Sequence, residues 1–181
     1  MESNVIIEEL KAVASLDWNP EQKAYYTQRA ADAKPVGCVR MRDVFTPEQL
    51  RFLSVRSGYK THQKQCYKNA SDLVMAVEQM ARIYDPSVPV AKYVEGFVYS
   101  CGLLSIEHAF VKIGDRYIDP TFERALRLDV RKEIYVSCIE LSFEQMRGLQ
   151  AETGYYGELY QFSYLKRNRP DLVAKIASRI R

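Results

Sequence analysis

Apolar residues fall at helical spacing through the first half of the chain and at strand density through much of the second. Residues 5–16 carry Val5, Ile6, Leu10, Val13 and Leu16, which predicts an amphipathic helix. Asn19-Pro20-Glu21-Gln22 is a helix start with Asn as cap and Pro at the first helical position. That helix carries Tyr25, Tyr26 and Arg29 and should stop before Lys34-Pro35. Thr46-Pro47-Glu48-Gln49 repeats the signal ahead of Leu50, Phe52 and Leu53, and Gly58 closes this short segment. The longest stripe begins at Cys66, with Ala70, Leu73, Val74, Val77, Met80, Ala81 and Tyr84 on one face before Asp85-Pro86. Beyond Pro89 the period changes. Residues 90–99, 106–113 and 116–119 predict three strands, the last two joined at Gly114-Asp115, and 134–141 predicts a fourth. Ser142-Phe143-Glu144-Gln145 opens a helix of about two turns ahead of Thr153-Gly154. Residues 171–180 predict a terminal helix with Leu172, Val173, Ile176 and Ile180 on one side.

These elements describe one α+β domain of 181 residues: a helical part over 1–58, a core over 60–125, and a strand with further helices over 126–181. At 47% hydrophobic and 27% charged residues, the chain can bury a core without metals or disulfides. A net charge of +3 gives no argument for nucleic acid. The basic lean near the end (Lys166, Arg167, Arg169, Lys175, Arg179, Arg181) reads as a solvated helix face. The four cysteines, Cys38, Cys66, Cys101 and Cys138, form no Cys-x-x-Cys or Cys-x-x-His pair, so neither a metal nor a cofactor is expected. The polar start and the lack of an apolar run of about 20 residues argue against a membrane span and for a cytoplasmic protein with reduced thiols. Oligomeric state is not legible.

The chemistry lies in three segments: Gln65-Cys66-Tyr67-Lys68-Asn69-Ala70, Glu107-His108-Ala109-Phe110 and Tyr117-Ile118-Asp119-Pro120-Thr121. A cysteine attacks as thiolate, and a helix N-terminus favours the negative sulfur. An imidazole can take the thiol proton, and a carboxylate behind it fixes the tautomer. The chain has only two histidines, so finding one in such a setting carries weight. Each residue also has an ordinary reading: a small buried thiol, a strand histidine, a turn-forming aspartate. Cys38 reads as a loop residue, Cys101 as part of a turn, Cys138 as core, and His62 as a surface residue. An oxyanion needs donors, and the Cys66 backbone N–H with a side-chain amide from Gln63 or Gln65 could supply them.

This order of segments resembles the transglutaminase-like superfamily over roughly residues 60–125. There a catalytic Cys leads a helix, followed by a Gly-aromatic strand, His-Ala-Trp and Asp-Pro-Thr. Here the counterparts are Cys66, Gly96-Phe97, His108-Ala109-Phe110 and Asp119-Pro120-Thr121. The resemblance implies a papain-like core, with the nucleophile-bearing helix packed on a small antiparallel sheet. It implies Cys66 as nucleophile, His108 as general base and acid, and Asp119 as orienting acid. Phe110 stands where the family has Trp, and Lys64 where it often has Gly.

The expected activity is cysteine-dependent acyl transfer on a protein or peptide: hydrolysis of an amide through a thioester. Amine transfer of the transglutaminase type is the alternative chemistry. A binding module on the same fold is the alternative class, for which the tyrosines at 155, 156, 160 and 164 offer an interface unless they are half-buried core.

Overall fold

The computed structural model describes residues 4–100 and 105–173. The predicted turn at Cys101 and most of the predicted 171–180 helix lie outside them. Six α-helices are described: α1 (Asn4–Ala14), α2 (Pro20–Asp32), α3 (Pro47–Arg51), α4 (Cys66–Ile83), α5 (Phe143–Thr153) and α6 (Tyr160–Asn168). The strands are β1 (Lys34–Val36), β2 (Cys38–Val39), β3 (Ala91–Tyr99), β4 (Ile106–Ile113), β5 (Arg116–Ile118) and β6 (Ile134–Ser142). No helix among the described residues is long and apolar enough to cross a membrane.

The helix starts form as their sequences dictate. Asn19 accepts a bond from the Gln22 N–H, while Thr46 with Gln49 and Ser142 with Gln145 make reciprocal capping boxes. α5 runs three turns rather than two, because buried Met146, Leu149 and Gln150 carry it to the left-handed Gly154.

The strands form one curled sheet in the order β1-β6-β3-β4-β5-β2, antiparallel throughout except for the parallel β2–β5 pair. The four strands expected from periodicity are its centre. The edges β1 and β2 were not expected, since segments of three and two residues show no period. Cys38 is therefore not a loop residue: it pairs with Tyr117 across the parallel ladder and is buried. Cys138 is core, and is the extra residue of a bulge in β6, since Glu95 faces Ile139 whereas Gly96 faces Ser137.

α4 lies against one face of β3 and β4, burying Ala70, Leu73, Val74 and Val77 against Tyr93, Ala109, Val111 and Ile113. Fully burying such a side chain contributes roughly 1.5–3 kcal/mol, so this stripe fixes the helix's position over the sheet. Behind the other face lie Cys38, Val94, Val98, Phe110, Phe122, Val130 and Tyr135. A third cluster joins α1 and α6 to the outer end of β3 and β6 through Ile6, Leu10, Phe97, Val136 and Tyr160.

α6 was not expected, and its start shows why. Leu159, at its cap position, makes no side-chain cap. The first N–H groups instead donate to the carboxylate of Glu95 on the central strand, at 2.6 Å from Leu159 and 2.8 Å from Tyr160. Tyr93 adds a third donor to Glu95, whose carboxyl burial pushes up to about 7. Tyr160 is buried and Tyr164 packs against the third cluster, as core tyrosines would, whereas Tyr155 and Tyr156 are exposed.

Candidate active site

Cys66 is the first residue of α4 and is partly exposed. The turn before it is built by a strained residue. Lys64 has φ +59°, a left-handed conformation that costs a side-chain-bearing residue roughly 1–2 kcal/mol. A glycine adopts that conformation freely. Replacing Lys64 with Gly is expected to raise stability by about 1 kcal/mol in urea denaturation and to leave Cys66 chemistry unchanged. A loss of stability would mean that the Lys64 side chain makes a contact worth more than the strain.

His108 and Asp119 meet. His108 Nε2 lies 2.7 Å from Asp119 Oδ2, with the two residues 2% and 0% exposed. They are not ladder partners, since Val111 pairs with Ile118 and Asp119 sits just beyond the end of β5. The carboxylate reaches back because it also caps the wide turn Thr121–Ala125: Oδ1 accepts from the Thr121 N–H at 2.9 Å and the Phe122 N–H at 3.1 Å. The turn-forming and histidine-facing roles coexist on different oxygens. Tyr135 of β6 donates its hydroxyl to Oδ2 at 2.9 Å. Four donors thus surround one fully buried carboxylate.

With Nε2 taken by Asp119, Nδ1 is the ring nitrogen left for the sulfur. The thiol and imidazole stand close enough to shift each other's ionisation, and the backbone N–H groups of Tyr67 and Ala109 also favour the thiolate. Burial raises the Cys66 thiol, but these hydrogen bonds and the imidazolium charge together bring it below its ordinary value. Burial likewise opposes protonation of His108, yet the Asp119 charge and hydrogen bond, helped by Cys66, lift it to about 10. Both shifts favour the thiolate–imidazolium pair. Cys38 and Cys138 behave oppositely: burial pushes Cys38 up, and pushes Cys138 up to about 12.

Gly96 makes room for the histidine's strand. It pairs with His108 across β3–β4, and a Cβ there would lie 1.8 Å from the Val136 carbonyl oxygen of β6. Only glycine permits this approach beside the bulge. Glu107, next to His108, pairs with the buried Arg29 of α2 at 2.6 Å, and Glu158 pairs with Arg29 at 3.0 Å.

Asn69 is the site residue that sequence reading passed over. One turn after Cys66 and fully buried, it accepts from the His62 N–H at 3.0 Å. It donates to the His62 carbonyl at 2.7 Å and to Thr121 Oγ1 at 3.0 Å. It therefore ties the loop before the nucleophile to the turn that Asp119 caps. The available signal was a polar residue inside an otherwise apolar helix stripe. His62 itself is exposed, as expected, and enters only through its backbone.

Both oxyanion candidates are exposed. The Gln63 amide nitrogen lies 3.5 Å from the Ala125 carbonyl. Gln65 occupies the cap position of α4 without a side-chain bond to the helix.

No protein-family model, curated protein or solved structure matches the chain. The functional reading therefore stands on the geometry. A cavity of about 480 Å³ lies between α2 and α6, and none of Cys66, His108 or Asp119 lines it. Among the described residues, no group of three or more His, Cys, Asp or Glu is placed to hold a metal ion.

Proposed function

We propose that the protein is a cysteine-dependent acyl-transfer enzyme with a transglutaminase-like, papain-like core, acting on an amide of a protein or peptide. The observation that carries this reading is the buried 2.7 Å His108–Asp119 contact behind a helix-terminal Cys66 whose ionisation is coupled to the same imidazole. The Cys66 thiolate attacks the amide carbonyl, and the oxyanion is met by the Cys66 backbone N–H and a glutamine amide. Gln65 is the stronger candidate for that second donor, since its side chain is not committed to the helix cap. As the tetrahedral intermediate collapses, the C–N bond breaks and His108 gives its proton to the departing amine, leaving a thioester. Water, deprotonated by neutral His108, then attacks the thioester and releases the acid and Cys66. Hydrolysis is favoured over amine transfer because excluding water needs a closed tunnel. Cys66 is partly exposed, which supports water as the acceptor.

Iodoacetamide labelling across pH, followed by peptide mapping, tests the reading. Cys66 should already react at pH 6 and stay on a plateau up to about 10, where His108 loses its proton. The buried Cys38 and Cys138 serve as slow internal references. A Cys66 rate that climbs about tenfold per pH unit up to the ordinary thiol range near 8.5 would remove the activated-nucleophile reading and favour the binding module.

A further inference from the structure

We propose that Tyr135 is a positioning residue of this site: its hydroxyl, bonded to the same Asp119 oxygen as His108, sets how much negative charge Asp119 presents to the imidazole. The proposal rests on the thiolate–imidazolium reading above and specifies how that pair is tuned.

The geometry carries it. Asp119 Oδ2 receives two donors, His108 Nε2 at 2.7 Å and the Tyr135 hydroxyl at 2.9 Å, while Oδ1 is occupied by backbone N–H groups. Charge that Oδ2 shares with the phenol is charge withdrawn from the bond to His108. Tyr135 is fully buried on β6, among Cys38, Val94, Phe110, Phe122 and Val130. In so apolar a shell a hydrogen bond to an anion is strong and poorly screened. Burial first, and then the Asp119 charge, keep the phenol protonated far above its ordinary range, so it remains a donor. Tyr135 also contacts Phe110 and Phe122, the two rings beside His108, so its position is fixed by packing.

Other ionisable groups face this centre from each side. Cys66 of α4 shifts His108 toward protonation, Cys38 of β2 lies beside Asp119 and Tyr135, Tyr59 before α4 senses Asp119, and Glu133 before β6 senses Tyr135. Burial holds Cys38 and Tyr59 protonated. Glu133 lies outside the hydrogen-bonded set. Of these groups only Tyr135 donates to the oxygen that holds His108.

The experiment is a histidine-selective NMR titration of the full chain. It contains only two histidines, and His62→Gln assigns the second signal. Tyr135→Phe keeps the ring and removes the donor, so the His108 midpoint should rise by about half a pH unit or more. Replacing Tyr135 site-specifically with 3,5-difluorotyrosine makes the hydroxyl a stronger donor and should lower the midpoint. This second variant decides the matter if the first does not fold. Opposite shifts in a folded protein support the proposal. A midpoint that is unmoved, or that moves the same way in both, overturns it and reduces Tyr135 to packing. A wild-type His108 titrating near 6.5 overturns the underlying enzyme reading instead.

Discussion

Replacing Asp119 with Asn should cut Cys66 alkylation at pH 6 on the order of 10²-fold while leaving the far-ultraviolet circular dichroism of the folded chain unchanged. The argument follows the tautomer. Asp119 accepts from His108 Nε2, so the ring presents Nδ1 to the sulfur. An amide keeps one acceptor oxygen, and the Thr121 and Phe122 N–H groups already claim an acceptor at this side chain. The amide nitrogen then faces His108 and Tyr135 as a donor. His108 must offer Nε2 as acceptor, which places its proton on Nδ1, toward Cys66, where it cannot receive another. An unassisted thiol, ordinarily near 8.5, is about 0.3% thiolate at pH 6, and the burial of Cys66 lowers that fraction further. The two ways of losing reactivity separate by pH: well above the ordinary thiol range the variant and the wild type should converge, because both thiols are then ionised. A variant equally slow at every pH would indicate lost access rather than lost activation. A variant as fast as wild type at pH 6 would show that the helix terminus alone activates Cys66.

Replacing Gly96 with Ala should cost about 3 kcal/mol or more, a large part of the 5–15 kcal/mol that holds a typical domain together. The new Cβ would meet only backbone: the Val136 oxygen at 1.8 Å, the Val136 carbonyl carbon at 2.8 Å and the Ser137 Cα at 3.0 Å. No side chain can rotate away. β3 and β6 must separate at the bulge, in the middle of the sheet, and His108 across from Gly96 moves with them. Urea denaturation of the wild type and the variant measures the cost. A change under 1 kcal/mol would mean that the bulge can slide. The same displacement should slow Cys66 labelling at pH 6, linking one backbone contact to the site.

Much of the site was legible because its parts are local. A cysteine opening an eighteen-residue amphipathic helix is visible in the stripe from Ala70 to Met80. The Gly114-Asp115 turn lays β5 beside β4, so that Asp119, one residue past the end of β5, comes near His108. Asn69 and Tyr135 were not legible. A buried asparagine and a strand tyrosine have many uses, and only the approach of Thr121 to one and Asp119 to the other, 52 and 16 residues away, defines theirs. β1 and β2 were missed because two or three residues cannot display a period. α6 was missed because the cap that starts it, Glu95, lies 64 residues upstream of Leu159.

The sequence by itself determined the helix starts at Asn19, Thr46 and Ser142, the helix led by Cys66 and the central strands. Each depends on side chains within one turn or one strand of each other, where spacing dictates contact. The tertiary structure alone decided that Asp119 turns back to His108 beyond the end of β5, that Gly96 admits Val136, and that Cys38 is a buried edge-strand residue. These follow from the curl of the sheet and the bulge at Cys138. Both arise from packing between segments distant in sequence, and no local pattern encodes them.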